Sequence, residues 1–392
     1  MTGDTVAAVA SVEQRPFPDS EYEARLAATR RDMAAAGVEA LLVFRPSSIE
    51  YLCGYHTAET APQPLLVTLS DTYLYIPDLE VGRALASSRV DHIRFCGYAD
   101  ALRGLEIFLA DAADVLPGGA PVGIETGHGS TPPRAIAILA TTHLRVVHTD
   151  HLVERIRLVL SPSEILHVES AARETAAGVA AAVDAAREPS ATDSSVAAAV
   201  AAALFHDADS PSAWGPVVAT GQRGGVPHSS WVNRPLGEGP TFVEFAGTHA
   251  RYHAPVMRTL VAGPLSPGDR TLASLARTAV SAVLATAKAG VLASDVAKEA
   301  GRALGTLPHD VVFHHLFGYP VGLAHKPHWM DGAPFFLVPD NHEPLRAGMV
   351  FHIPGSFRRF GNSGVGLSQT FLVEEHGSRV LTHGDADLIT VR

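Results

Sequence analysis

Only two cysteines, Cys53 and Cys96, occur in 392 residues, in dissimilar contexts and without a C-x-x-C spacing. That argues against a disulfide framework and a thiolate metal site, and fits a reducing cytoplasm. Basic charge is scarce and scattered. With 30 basic and 41 acidic side chains the formal charge is -11, and without a basic block neither nucleic acid nor an anionic membrane is an expected partner. No segment stays apolar for the ~18 residues a spanning helix needs, and the opening "MTGDTVAAVASVEQRPF" has no cationic run before a long apolar one. Tandem repeats of fixed period are absent too. What the chain does have is apolar residues, 46% of the total. Its length exceeds the ~250–300 residues at which one core stops growing, so two domains are expected, with a small polar or cationic molecule as partner.

Residues 1–20 read as a flexible leader. From Ser20, "SEYEARLAATRRDMAAAGVEALLVF" gives a helix stopped by Gly37 and then a strand, the opening of an α/β unit. "PLLVTL", "TYLYIP" and "PVGIE" supply further strands, which places an α/β domain over residues 21–158. Ser161 or Ser163 can then cap a long alanine-rich helix. Over 159–392 the order changes. Helices near 163–187 and 193–206 precede strands near 215–220 and 241–260; two helices follow over 269–305, and strands fill 348–374. This α+β order suggests helices on one face of a curved antiparallel sheet.

Five stretches of the second half form a pattern: "ATGQRGGVPHSSWVNRPLGEG", "FVEFAGTHARYHAPVMRT", "FGYPVGLAHKPHW", "LRAGMVFHIPG" and "GVGLSQTFLVEEHG". In order and interval they resemble the pita-bread fold of methionine aminopeptidase, prolidase and creatinase, over about residues 20–385. The resemblance implies a creatinase-like α/β domain followed by a pita-bread catalytic domain. In the metalloenzymes of that family five positions carry two aspartates, a histidine and two glutamates. Here they hold Glu244, Pro255, Tyr319, the Ile353/Pro354 stretch and Ser368. Proline, isoleucine and serine side chains offer a divalent cation almost nothing, so no metal and no cofactor is expected. "EFAG" from Glu244, "RYHAP" from Arg251, "GYPVGL" from Gly318 and "MVFH" ending at His352 resemble ectoine hydrolases, metal-free members that open a cyclic amidine. Where those carry a glutamate after the Ser/Thr at the last ligand position, this chain has Gln369, and their tryptophan-containing N-terminal loop is "GYHTAETAPQP" here.

Opening an amidine or guanidine requires a base for water, an acidic group facing the cationic C–N unit, and a proton for the departing amine. His228, in "GGVPHSSW", suits both proton transfers, because imidazole titrates near pH ~6.5, and it matches the histidine creatinase uses for them. Glu244 either pairs with the amidinium or attacks its carbon. Tyr319 either donates a hydrogen bond to the developing tetrahedral centre or fills the vacant metal volume. His253 reads as a substrate ligand or a core histidine, and Arg251 as a carboxylate fork or a hairpin surface residue. His325 and His328 have metal-like spacing, but Pro327 between them argues against a helix. His325, one of His314 and His315 (His315 is taken), His352 and Gln369 complete the substrate-binding candidates.

The leading expectation is a metal-independent hydrolase of a C–N bond (cyclic amidine, guanidine or amide) in a small amino-acid derivative. A biosynthetic enzyme that makes or rearranges such a bond is the first alternative, favoured by Gln369 and the altered N-terminal loop. A silent binding module is the second. The resemblance also implies a homodimer, and the composition a cytoplasmic protein.

Overall fold

The computed structural model describes residues 9, 12, 15–95, 101–237 and 239–392. Most of the expected leader and Cys96 lie outside these residues. The chain divides into two compact units, Met1–Arg157 and Leu158–Arg392. Among the described residues no helix is long and apolar enough to cross a membrane.

The first unit opens with α1 (Asp19–Ala35), whose first turn carries Asp19 and Glu21 against the positive end of the helix. Its elements continue as β1 (Ala40–Val43), α2 (Pro46–Cys53), β2 (Leu65–Thr68), β3 (Thr72–Ile76), α3 (Val81–Ser87), β4 (His92–Phe95), α4 (Ala101–Val115), β5 (Pro121–Ile124), α5 (Pro133–Leu139), β6 (Arg145–His148) and α6 (Leu152–Ile156). The six strands form one sheet in the order β4-β3-β2-β1-β5-β6. The β1–β2 and β2–β3 pairs are antiparallel and the other three parallel. Leu42, Leu66, Phe108, Leu109, Val122 and Ile124 lie at its centre.

The second unit starts with α7 (Pro162–Arg187). Ser161 caps it reciprocally: the Glu164 N–H donates to Ser161 Oγ at 3.2 Å, and the Ser161 N–H donates to the Glu164 carboxylate at 2.8 Å. Then come α8 (Asp193–His206), β7 (Val217–Thr220), β8 (Pro240–His249), β9 (Tyr252–Val261), α9 (Pro267–Thr286), α10 (Ala293–Leu304), β10 (Tyr319–Pro320), β11 (Val350–Arg359), β12 (Ser363–Val373), β13 (Ser378–Val380) and β14 (Leu388–Thr390). Instead of one curved sheet there are two four-stranded sheets, β14-β9-β8-β7 and β10-β11-β12-β13. The short C-terminal strand β14 joins β9 in parallel. Hydroxyl groups stitch the sheets where no backbone ladder runs. Thr259 Oγ1 donates to Gly366 O at 3.0 Å, Thr370 Oγ1 to Pro255 O at 2.8 Å, and the Met257 N–H to Ser368 Oγ at 2.5 Å.

Strand alternation decides what faces the site. Val243, Phe245, Val256 and Leu260 share a core with α7 and α8, while Phe351, Ile353, Phe357, Val365, Leu367 and Phe371 share one with α9 and α10. The opposite faces therefore present Phe242 and Glu244 of β8, Pro255 and Met257 of β9, His352, Pro354, Ser356 and Arg358 of β11, and Ser368 of β12. Gly366 belongs to the same row, and only glycine fits there. A Cβ would lie 2.3 Å from the Phe242 ring.

Candidate active site

Glu244 sits mid-strand between its cross-strand neighbours Val217 and Met257, which with Phe242 form a small apolar cluster packed against Trp214. Its side chain is 6% exposed. Burial pushes the carboxyl up to about 7, against the opposing pull of the Arg358 guanidinium. No described residue hydrogen-bonds the carboxyl. A carboxyl this buried and without a partner favours a ligand or a proton, since an unpaired buried charge costs on the order of several kcal/mol.

Arg358, which sequence reasoning missed, stands on the same site-facing row as Pro354 and Ser356 and acts electrostatically on Glu244. Its backbone is fixed by Val312, whose N–H donates to Arg358 O at 2.8 Å and whose carbonyl accepts from Arg358 N at 3.1 Å. Nε donates to Gly224 O at 3.2 Å, Nη1 to Ser356 Oγ, and the guanidinium lies 4.9 Å from the Phe242 ring centre. Burial lowers its pKa while Glu244 raises it, and it helps depress His314. His314 is an exposed residue whose ring is crowded by protein atoms. Desolvation there, with the charges of Arg358 and His315, lowers it to about 4.

Tyr319, at the edge of β11 opposite His352, is 5% exposed. Its hydroxyl accepts the Trp329 indole N–H at 3.0 Å, which leaves the phenol proton free to be donated. Burial and the charge of Glu244 raise its pKa, so it stays protonated. Trp329 continues into an aromatic wall: Trp214 at 5.3 Å, His328 at 4.7 Å from Trp214, and His228 edge-on to Trp214 at 5.7 Å. Burial and the neighbouring His228 lower His328 to about 4. His328 Nδ1 accepts the Met330 N–H at 2.9 Å and His314 Nδ1 the Leu316 N–H at 3.1 Å. Both neutral rings therefore carry their proton on Nε2.

His228 is exposed, in the turn that the Ser229 N–H closes onto Val226 O at 3.2 Å, with φ +58°. Pro227 suits the first corner of such a turn. The second corner, with positive φ, usually belongs to Gly or Asn. A histidine there stores on the order of 1–2 kcal/mol of backbone strain, a feature that clusters at functional sites.

Of the remaining sequence candidates, His253 and His352 share the site-facing rows of β9 and β11 with Pro255 and Pro354. His253 is fully buried, its Nε2 accepting the Ala213 N–H at 2.9 Å, and burial lowers it to about 3. Arg251 occupies the β8–β9 turn with φ +59°, roughly 17 Å of strand rise beyond Glu244. His352 lies under Tyr319 at 5.3 Å, fully buried, with Nδ1 3.2 Å from Thr370 Oγ1; burial holds it at about 3. His315 is exposed, edge-on to Phe313 at 5.4 Å, and His325 acts electrostatically on His253. Gln369 faces away from the site-facing rows. It lies on the opposite parity from Ser368, its Nε2 donates to Gly384 O at 2.7 Å, and its Oε1 accepts from Thr382. Its amide is committed to the 382–384 loop.

The five positions that hold metal ligands in pita-bread metalloenzymes gather around one face but do not suit a metal pair. Pro255 and Pro354 contribute no donor, Ser368 Oγ already accepts the Met257 N–H, and Glu244 and Tyr319 remain. Among the described residues the one cluster of three ligand-type groups is Glu125, His151 and Glu154, in the first unit. Arg45 already meets both carboxylates there, at 3.0 and 3.4 Å.

A two-unit chain with this strand order and this face defines a pita-bread hydrolase scaffold. The profile of metallopeptidase family M24 matches residues 167–375, and that of the creatinase/prolidase N-terminal domain residues 25–159. The chain belongs to family M24. It is 28% identical to ectoine hydrolase of Halomonas elongata, over 93% of this chain and 96% of that one. It is 24% identical to an Xaa-Pro dipeptidase of Pyrococcus horikoshii, over 90% and 95%. Among solved structures, dipeptidase PepE from Mycobacterium ulcerans superposes with a TM-score of 0.80 at 23% identity, covering 96% of this chain and all of that one (100%). The prolidase from Pyrococcus horikoshii gives 0.76 at 21%, covering 92% and 99%.

Proposed function

We propose that the chain is a metal-independent hydrolase of a C–N bond in a small cationic amino-acid derivative, with a cyclic amidine such as ectoine as the leading substrate. The observation that carries this reading is the Glu244 carboxyl, buried without a hydrogen-bond partner beside an aromatic wall and a phenol that can donate. Glu244 accepts the N–H groups of the amidinium and holds that unit in its protonated form, the form whose carbon water attacks. His228 takes a proton from water as the oxygen bonds to that carbon. Tyr319 donates a hydrogen bond to the tetrahedral centre. The C–N bond then breaks, and the proton held by His228 passes to the departing nitrogen, giving an amine and an amide from one amidine and one water. Similarity to ectoine hydrolase supports this chemistry, and the donor-poor positions around Glu244 support its independence of metal.

The same reading makes the protein cytoplasmic and without a nucleic-acid partner, supported by the scarcity of cysteine and the acidic balance, without a cofactor, supported by the donor-poor ligand positions, and a homodimer, as the resemblance to creatinase and ectoine hydrolase implies. The test is mass spectrometry of ectoine and of Xaa-Pro dipeptides incubated with the purified chain. A product heavier than ectoine by one water is expected, with the dipeptides intact. Cleavage of the dipeptides alone would transfer the chain to the peptidases.

A further inference from the structure

We propose that Arg358 receives the carboxylate of a zwitterionic substrate whose cationic C–N group faces Glu244. The inference rests on the C–N hydrolase reading and adds the class of molecule that fits. Arg358 is oriented by Gly224 O, Ser356 and the Phe242 ring, and its backbone by Val312, yet Nη2 has no hydrogen-bond partner among the described residues. The one acidic group that acts on it electrostatically is Glu244. The two stay farther apart than the 4.0 Å of an ion pair. A fixed cation and a fixed carboxyl on one face, neither satisfied by the other, form complementary ends for a molecule that carries both charges.

The anion that fits is a carboxylate rather than a phosphate. Arg358 offers one planar fork, the adjacent His314 is neutral above a pH of about 4, and a dianion beside Glu244 would be repelled. Trp214, half-buried and packed on the apolar cluster beside Glu244, offers a planar face to the ring that carries the cationic group. The carboxylate fork expected at Arg251 is thereby assigned to Arg358, on the same face as Glu244.

Isothermal titration with two probes tests this: ectoine, and 2-methyl-1,4,5,6-tetrahydropyrimidine, the same ring without its carboxylate. The unmodified chain should bind ectoine at least about tenfold more tightly, the size of one charge-assisted contact. Arg358→Met should bind both alike, and Arg358→Lys, which keeps the charge and loses the fork, should fall between. A preference that survives in a natively melting Arg358→Met variant overturns the proposal, as does equal or absent binding of the two rings by the unmodified chain. If the Met variant does not fold, a full preference in Arg358→Lys overturns it. A preference for ectoine without turnover would sink the hydrolase reading and leave the Arg358 assignment standing.

Discussion

Replacing His228 by glycine separates backbone strain from chemistry. The native ring occupies a left-handed turn position at φ +58°, which costs an L-residue on the order of 1–2 kcal/mol. Glycine removes that cost, adds about 0.5–1 kcal/mol of unfolded-chain entropy, and forfeits the edge contact with Trp214, roughly 0.5–1.5 kcal/mol. These terms nearly cancel. His228→Gly should therefore melt within ~3 °C of the parent, at about 2–4 °C per kcal/mol for a domain of 150–250 residues. His228→Ala keeps the strain and loses the contact but spares the glycine entropy, a difference of about 0.75 kcal/mol, so it should melt about 1.5–3 °C below the glycine variant. Both should lose roughly 10²–10⁴ in kcat/KM for amidine hydrolysis if, as proposed, one imidazole performs both proton transfers. Calorimetry and a stopped mass-spectrometric assay read the two quantities. An active glycine variant would remove His228 from the mechanism, and an alanine variant as stable as the glycine one would remove the strain.

Glu244→Gln should abolish turnover and make stability less dependent on pH. A carboxyl raised from 4.5 to about 7 on folding contributes fully below pH 4.5 and is lost as pH rises through 7, a swing of about 3 kcal/mol at most; equal urea midpoints for parent and variant, at both pH 4.5 and pH 8, would contradict it. Because Arg358 lowers Glu244, Arg358→Met should move the inflection of kcat/KM toward higher pH, and an unmoved inflection would uncouple the pair. Trp329→Phe removes the hydrogen bond to Tyr319 and should lower kcat about tenfold with KM little changed, whereas a change in KM alone would make Trp329 a binding surface. Gln369→Glu loses its donor to Gly384 O and should cost about 1–3 kcal/mol of stability without raising ectoine hydrolysis; a faster, equally stable variant would return position 369 to the substrate.

Local chemistry told most of the fold. Ser161, Pro162 and Glu164 spell a capped helix start, and the alanine runs of 163–187 and 193–206 favour helix through local propensity. The division into two sheets was not legible, because it depends on hydroxyl contacts such as Thr370 to Pro255 between strands distant in sequence. Of the site, Glu244 stood out as an acidic residue in the apolar run "FVEFAG". Arg358 did not, because "FRRF" at a hairpin end reads as solvent-facing. Parity with His352, Pro354 and Ser356 was the available signal: it turns Arg358 inward, while Arg359 pairs with Asp310 at 3.0 Å. The same counting, applied to Ser368, would have turned Gln369 away from the substrate. Trp214 and Trp329 come from loops, and no periodicity could have joined them.

Metal independence of turnover is the central claim, and one paired measurement tests it. Elemental analysis of protein purified without added ions is read beside ectoine turnover before and after exhaustive chelation. The expected result is full turnover at well under one equivalent of manganese, cobalt, iron or zinc, unchanged by the chelator. Turnover that disappears with the metal and returns on adding it back would contradict the claim.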